Sequence, residues 1–381
     1  MRSDRSAPAS RRFRQSRRAI LAGAGAVLGG CLAPSSARRP VTCPAPAGAG
    51  DASIGLVGDV MFGRNVDDRW GDPERDPDGV WDGMHPRLEA LDGIVCNLEC
   101  CLSDRGEPRD RVFTFRADPD WAIPALQAGG VSAVSLANNH VLDFGPPAFT
   151  DTLDSLVDGG LATAGAGEDL RAALAPARFS VGGVDIAVVG LTDRYPAYGA
   201  TPRRRGTAFA ALEPGDPRTR GLVERALERA RADDPDLVVA SLHWGPNWEV
   251  RPSDTQQRFA RWLVDRGVDV VHGHSAHVVQ GVEVYRGRPI VYDAGDFVDD
   301  YAVKEGLHND RSLLFVLEVA EGELDALRLI PVEIVRSAVH PADARAASWL
   351  RDRMRSLSAP FGTPIERAGD GLRIPLAACP E

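Results

Sequence analysis

Short apolar runs punctuate this chain, and many break off at a glycine, an aspartate, an asparagine or a histidine. Residues 54–57, 94–96, 131–136, 184–191, 237–242, 268–271, 290–292 and 313–319 are apolar at strand length and predict β-strands. Between several of them the period becomes helical. In 151–157, Leu153, Leu156 and Val157 share a face before Gly159-Gly160. In 219–232 the apolar positions are Leu222, Val223, Ala226, Leu227 and Ala230. In 255–266 they are Phe259, Trp262 and Leu263, with Ser253 or Asp254 as cap and Gly267 as stop. A last amphipathic helix is predicted over 342–357, with a loop as the tail after it. Strand–helix alternation that gives way to a strand-richer end predicts an α/β sandwich. Two aperiodic stretches, 67–81 and 193–216, read as long loops, and long loops inside a domain usually serve function.

What closes the apolar runs changes the picture. Gly58-Asp59-Val60-Met61, Cys96-Asn97-Leu98-Glu99, Ala137-Asn138-Asn139-His140, Ser241-Leu242-His243-Trp244-Gly245 and His272-Gly273-His274-Ser275-Ala276-His277 each follow a predicted strand. They hold five of the 8 histidines, and the ends of adjacent strands are where a fold makes distant residues meet. Each has an ordinary alternative: Asp59 as a turn cap, Glu99 as a buried carboxylate with a basic partner, Asn138-Asn139 as turn chemistry, His243 as a hydrogen-bonded core residue. Three histidines within six residues after one strand fit such explanations poorly. Together the islands predict a metal-dependent, hydrolase-like site of oxygen and nitrogen donors. Gly273 is expected to let the backbone approach a bound ion, and His272 is left without a role. Gly273-His274-Ser275-Ala276-His277 nearly matches a serine-nucleophile elbow, but bulky His277 stands where that turn needs glycine, which argues against a serine hydrolase. Neither a Walker loop nor a dinucleotide-binding glycine fingerprint is present.

Charge and cysteines narrow the setting. Residues 1–30 carry seven arginines and one aspartate ahead of and within a short apolar stretch, the pattern of an export signal. Arg17-Arg18 resembles a twin-arginine signal, and Leu28-Gly29-Gly30-Cys31 a lipobox that would make Cys31 the lipidated first residue. The expectation is an exported, cell-envelope lipoprotein held on the membrane by its anchor; simple cleavage and release is the alternative. Residues 31–50 read as a flexible linker, 51–340 as the functional domain, and 341–381 as a C-terminal helix and tail. Without residues 1–30 the net charge moves from −10 to −16, which excludes nucleic acid as a partner. Cys31, Cys43, Cys96, Cys100, Cys101 and Cys379 include no CxxC pair, so a zinc ribbon is excluded. Cys96, Cys100 and Cys101 read as buried thiols or a disulfide rather than as ligands.

Taken in order, the islands resemble the bacterial capsule-synthesis family of CapA type, associated with poly-gamma-glutamate production. The resemblance rests on Gly58-Asp59-Val60-Met61-Phe62-Gly63-Arg64, Asn97-Leu98-Glu99, Ala137-Asn138-Asn139-His140 with Asp143 and Gly145, and His243-Trp244-Gly245. It continues through Gly273-His274-Ser275-Ala276-His277-Val278-Val279-Gln280 and Gly295-Asp296-Phe297. That family is similar to the calcineurin-like metallophosphoesterases, which implies a four-layer αββα sandwich with two metals at the strand ends. The resemblance implies Asp59, Glu99, Asn139, His243, His274 and His277 as ligands, with Glu99 in the bridging place. It implies one or two divalent ions, Mn, Fe or Zn, with His140 beside the reacting group and Arg64 clamping an anionic oxygen. Met61 stands where the phosphoesterases have a histidine, so one metal would lose an imidazole. The implied activity is hydrolysis of a phosphoester, or of an amide or ester in a glutamyl polymer. The implied partners are an acidic polymer or phosphoester substrate and the polyglutamate synthesis and export components. The alternative is a non-catalytic component that uses the pocket to bind metal or polymer.

Overall fold

The computed structural model describes residues 50–376. The expected signal segment, the linker with Cys31 and Cys43, and Cys379 lie outside the described residues. The architecture is mixed α/β, built on two large sheets. Strands β1 (Ala52–Val60), β2 (Gly93–Leu98), β3 (Val131–Ser135) and β4 (Ala162–Ala164) run parallel and form one half of the larger sheet. Next in the chain are β5 (Ala177–Val181), β6 (Val184–Thr192), β7 (Leu237–His243), β8 (Val270–His274), β9 (Val282–Tyr285) and β10 (Arg288–Val291), which make a six-stranded sheet in the order β9-β10-β8-β7-β6-β5. The chain then returns to the first sheet with β11 (Asp296–Val298), β12 (Arg311–Ala320), β13 (Glu323–Ile334), β14 (Val339–Pro341), β15 (Glu366–Ala368) and β16 (Gly371–Pro375). That sheet has ten strands, with β15-β16-β13-β12-β1-β2-β3-β4 as its path.

Both faces of the central strands are buried, which is why they read as near-continuous apolar runs rather than alternating ones. Neighbouring residues face opposite ways. Leu56, Val95 and Phe315 join Ile186, Val188, Val239 and Val270 in a core shared by the two sheets, whereas Val57, Cys96 and Val134 pack with helices α1 (Pro119–Ala128) and α2 (Gly145–Asp158). On the smaller sheet Val189, Val238 and Ala240 pack instead against α3 (Pro217–Arg231) and α4 (Asp254–Val264). Each fully buried Val, Leu or Phe contributes about 1.5–3 kcal/mol over an exposed one. Helix α5 (Ala344–Ser358) sets Leu350 and Met354 into the core shared by the sheets.

Sequence and structure agree on helix ends where the caps are explicit. Ser253 caps α4 in a reciprocal box with Gln256, and Gly267 follows with φ 79°. Proline obscures the signal elsewhere. Helix α2 begins at Gly145-Pro146-Pro147, ahead of the expected 151, because proline suits the first helical turn. Helix α1, which the apolar pattern does not predict, starts with Pro119 behind the Asp118 cap and tolerates Pro124 within it. The stretch 67–81 is not one long loop: it holds part of the helix Asn65–Trp70 and the 3-10 turn Pro77–Trp81, anchored by buried Trp70 and Trp81. The tail is not loop either, since β16 pairs with β13 and buries Leu372 and Ile374. Short strands with one or two apolar residues gain their stability from a neighbour that sequence does not name.

The strand ends are in register where the islands require it. Asp59 lies opposite Asn97 on one side and Asp296 on the other, and His243 lies opposite His274. The β1 pairings shift register on both sides of Asp59, a bulge-like irregularity of the kind that re-aims a side chain. Gly58 is obligatory: a Cβ there would sit 1.8 Å from the Gly295 carbonyl oxygen. Gly273 likewise leaves room for the Tyr292 carbonyl, 2.0 Å from where its Cβ would be. Its bareness therefore serves strand packing rather than approach to an ion.

Candidate metal centre

Seven of the eight candidate residues converge at one end of the two sheets. Asp59, Glu99, Asn139 and His140 come from the larger sheet and the loops after it, and His243, His274 and His277 from the smaller one. Asp59, Glu99, His243 and His274 are at most 1% exposed. Two groups of donor atoms lie within 4.8 Å of one another: Asp59, His243 and His274; and Asp59, Glu99, His277 and Asp296. Asp59 belongs to both groups, and Glu99, which the resemblance puts in the bridging place, to the second. One Asp59 oxygen stands 3.5 Å from His274 Nδ1 and 3.8 Å from His243 Nδ1, and the other 3.2 Å from His277 Nδ1. Glu99, a member of the second group at 3.9 Å from His277 Nδ1, also stands 3.6 Å from His243 Nε2 of the first. Asn139 Oδ1 is 2.8 Å from His243 Nε2.

Surrounding side chains fix these donors. Asn97 Nδ2 donates to Asp59 at 2.7 Å, and the Ser275 N–H donates to its other oxygen at 3.2 Å. Ser241 Oγ lies 2.9 Å from His274 Nε2, leaving Nδ1 toward the cluster. His277 Nδ1 is 2.8 Å from Asp296, a residue the sequence reading did not assign although Gly295-Asp296-Phe297 was among the matched motifs. An Asp after glycine has too common a turn explanation to stand out alone. Ser275 and His277 adopt φ of 109° and 59°, and such left-handed backbone costs a non-glycine residue about 1–3 kcal/mol. Ser275 Oγ points at the Gly245 carbonyl, 3.5 Å away, and not at a histidine base.

The electrostatics ask for positive charge. Burial and then the charge of Asp59 push the Glu99 carboxyl well above its usual range, and its Oε2 has no hydrogen-bond partner. Burial raises Asp296 as well, against the pull of His277, and its Oδ2 is also unpartnered. Burial would raise Asp59 too, but the His277 hydrogen bond and the charges of His274 and His277 bring it below its usual value. His243 and His274 are pushed well below the usual imidazole range by burial and so present neutral rings, the form that binds metal. For His277 burial is outweighed by the charges of Asp296 and Glu99, which raise it. Buried carboxylates with orphaned oxygens beside neutral imidazoles are a donor set that fits a divalent metal ion. Met61, two residues after Asp59 and buried, supplies no nitrogen; its Sδ lies 3.1 Å from the Gly63 nitrogen.

His140 stands beside the cluster. Its Nδ1 is 2.5 Å from Asp143, and its Nε2 is 3.9 Å from Glu99. Asp143 is held in turn by Arg111 at 2.6 Å, the Phe115 N–H at 2.9 Å and the Tyr198 hydroxyl at 3.2 Å. Burial lowers the His140 pKa against the opposing effect of Asp143. The ring of Phe115 stacks on His140 at 4.0 Å. His140, Asn139 and His277 line a cavity of about 810 Å³. Arg64 is on its wall, but its guanidinium is paired with Asp300 and lies over the Phe115 ring at 4.9 Å. The 193–216 segment contributes Arg194 to the same wall and, through buried Tyr198, the hydroxyl that supports Asp143.

His272 is structural. It is wholly buried, its Nδ1 3.5 Å from Ser241 Oγ, and burial takes its pKa from 6.5 to about 4. Between those values the unfolded chain binds a proton that the native one refuses, so this contribution is full above 6.5 and is lost as pH falls toward 4. The shift corresponds to about 3 kcal/mol. In metal-free protein, His272→Gln is expected to flatten the loss of stability between pH 7 and pH 4.5 by about that amount, read by urea unfolding. An unchanged acid limb would assign the effect elsewhere. Cys96, Cys100 and Cys101 are buried free thiols whose pKa values burial raises, which leaves them inert.

The family described as bacterial capsule synthesis protein PGA_cap matches residues 53–301. A probable polyglutamine synthesis accessory protein of Mycobacterium tuberculosis is 33% identical over 360 residues, covering 83% of this chain and 94% of that protein. The capsule biosynthesis protein CapA of Bacillus anthracis is 30% identical over 257 residues, 64% of this chain and 59% of that protein. A crystal structure of a protein from Thermus thermophilus aligns with 10% identity and a TM-score of 0.38, covering 71% of this chain and 99% of that one.

Proposed function

The chain belongs to the bacterial capsule synthesis family, and from that premise we propose that it is an exported, metal-dependent hydrolase serving polyglutamate-type capsule synthesis. The observation that carries the reading is the convergence of Asp59, Glu99, His243, His274, His277 and Asp296 around orphaned carboxylate oxygens, next to a His140–Asp143 pair at a cavity wall. The layering supports a four-layer αββα sandwich of the metallophosphoesterase type, since separate cores join helices to each sheet and the sheets to each other.

Asp59, His243 and His274 would hold one ion, and Asp59, Glu99, His277 and Asp296 a second. Divalent ions held there would supply Lewis acidity for hydrolysis of a phosphoester, amide or ester. The protein's own part is positional. Asn97, Ser241 and the Ser275 N–H fix the donors, while Asp143 orients His140 so that its Nε2 moves a proton at the reacting group. Phe115 and Tyr301, with ring centroids 6.0 Å apart, give one side of the cavity an apolar wall. The signal-like residues 1–30 support export and a Cys31 lipid anchor on the membrane, with capsule synthesis and export components as partners. Among the described residues no helix is long and apolar enough to cross a membrane.

The test is elemental analysis of the purified mature protein together with turnover of bis(p-nitrophenyl) phosphate. One or two equivalents of transition metal, with turnover abolished by chelator and restored by Mn or Zn, are expected. Metal without turnover of this diester or of a glutamyl polymer would instead assign the cavity to polymer binding. Folded protein that takes up no metal would end both readings.

A further inference from the structure

Four cations line the cavity, and they are not equivalent. Arg64 is paired with Asp300 and Arg111 with Asp143, so their charges are spent inside the protein. Arg194 and Lys304 have no carboxylate within 4.0 Å among the described residues. Arg194 donates to the Asn247 side-chain oxygen at 3.2 Å, and its charge acts on the adjacent Asp193 carboxylate, with which it makes no ion pair. Lys304 is the sole lysine of the chain, and its ammonium rests over the Trp248 ring at 4.5 Å. Trp248 in turn stands 5.2 Å from the His277 ring and is fixed by its own N–H donating to the Ala276 carbonyl at 2.8 Å, with φ 69°. A strained aromatic residue therefore links the outer cation to the centre.

Exposed apolar side chains share the cavity with these cations. Val112 and Phe113, on the cavity wall, are 89% and 56% exposed, and Val303, beside Lys304, is 58% exposed. In a chain of net charge −10, two unspent cations beside exposed apolar side chains at one cavity describe a ligand with both negative charge and aliphatic length.

Resting on the hydrolase reading of the same centre, we propose that Arg194 and Lys304 form an outer carboxylate-binding subsite. With Trp248 under Lys304 and Phe113 on the cavity wall beside Arg64, it selects a poly(amino acid) chain of repeated carboxylates and methylene spacers over the corresponding amide chain. Carboxylates further along the chain meet Arg194 and Lys304 while the methylene segments lie on Trp248 and Phe113. An uncharged amide side chain gives the two cations nothing to neutralise.

Calorimetric titration of the full metal-loaded protein with penta-γ-glutamate and with its penta-amide tests this. The acid is expected to bind at least tenfold tighter than the amide, with the advantage shrinking as salt rises. Arg194→Gln combined with Lys304→Gln is expected to erase that advantage at unchanged metal content, and Lys304→Arg to retain most of it. Equal affinity for acid and amide, or an acid affinity untouched by the double substitution, would overturn the subsite. Failure of the hydrolase reading shows separately, as wild-type protein that neither holds metal nor turns over the diester.

Discussion

Asp59→Asn protein is expected to purify folded and nearly free of transition metal. Asp59 alone belongs to both donor groups, so a neutral amide there weakens each site at once. Metal affinity should fall by more than roughly 100-fold, the upper figure for losing even an outer partner of a ligand. The amide keeps the side-chain volume and still accepts from the Ser275 N–H, but it turns an NH2 toward the Asn97 amide that donated to Asp59, a single buried mismatch of about 1–3 kcal/mol that leaves the fold standing. Asp59→Ala goes further: it strands the Asn97 amide and the Ser275 N–H in a buried site, at about 1–3 kcal/mol each, so metal loss comes with a lower melting temperature. Asp296→Asn should behave like Asp59→Asn at one site only, leaving the Asp59–His243–His274 group to hold an ion. His340→Ala is the control, because His340 faces Val335 and Asp82 in a strand that contributes nothing to the cluster. Elemental analysis and the shift of melting temperature with added Mn or Zn read the series. Equal metal content in Asp59→Asn and His340→Ala would mean the centre is elsewhere.

His140→Ala is expected to retain its metal and lose about 10²–10⁴ in the rate of diester hydrolysis, the usual share of a general acid–base group. The separation follows from position: His140 is outside both donor groups, yet its Nε2 faces Glu99 while Nδ1 is tied to Asp143. Asp143→Asn should lie between the two in rate, since the amide disturbs the hold of Arg111, Phe115 and Tyr198 as well as the tautomer. The pH profile carries the sign. Burial lowers the His140 pKa, so the imidazolium that donates to a leaving oxygen is lost as pH rises through a value below the usual 6.5. Wild-type activity at a fixed, saturating metal level should therefore fall across that range, and the limb should vanish in His140→Ala. A variant with full activity, or one that loses metal in step with activity, would remove His140 from the chemistry.

How much of this could be read without coordinates depends on the residue. His274 and His277 announce themselves by density, and Asp59, Glu99 and His243 by following apolar runs, so the strand-end donors were legible. Asp296 was not, because β11 is a three-residue strand whose partner β1 lies more than two hundred residues earlier in the chain. Nothing local distinguishes it from a turn aspartate. Arg64 was legible as a cation near the first island, but its pairing with Asp300 was not, and that pairing decides that its charge is spent. Helix α1 and the tail strand β16 were missed because one begins and is interrupted by proline and the other draws its order from β13.

By itself the sequence determined the alternation of strands and helices, the strand-end spacing of the oxygen and nitrogen donors, and the acidic charge of the chain, because each is a property of neighbours along the backbone. Tertiary structure alone decided that Asp59 belongs to both donor groups, that Asp296 joins the cluster, and that Arg64 and Arg111 are paired with carboxylates while, among the described residues, Arg194 and Lys304 are not. Those outcomes turn on distances between residues far apart in the chain, and a buried charge takes its meaning from whichever group the fold sets against it.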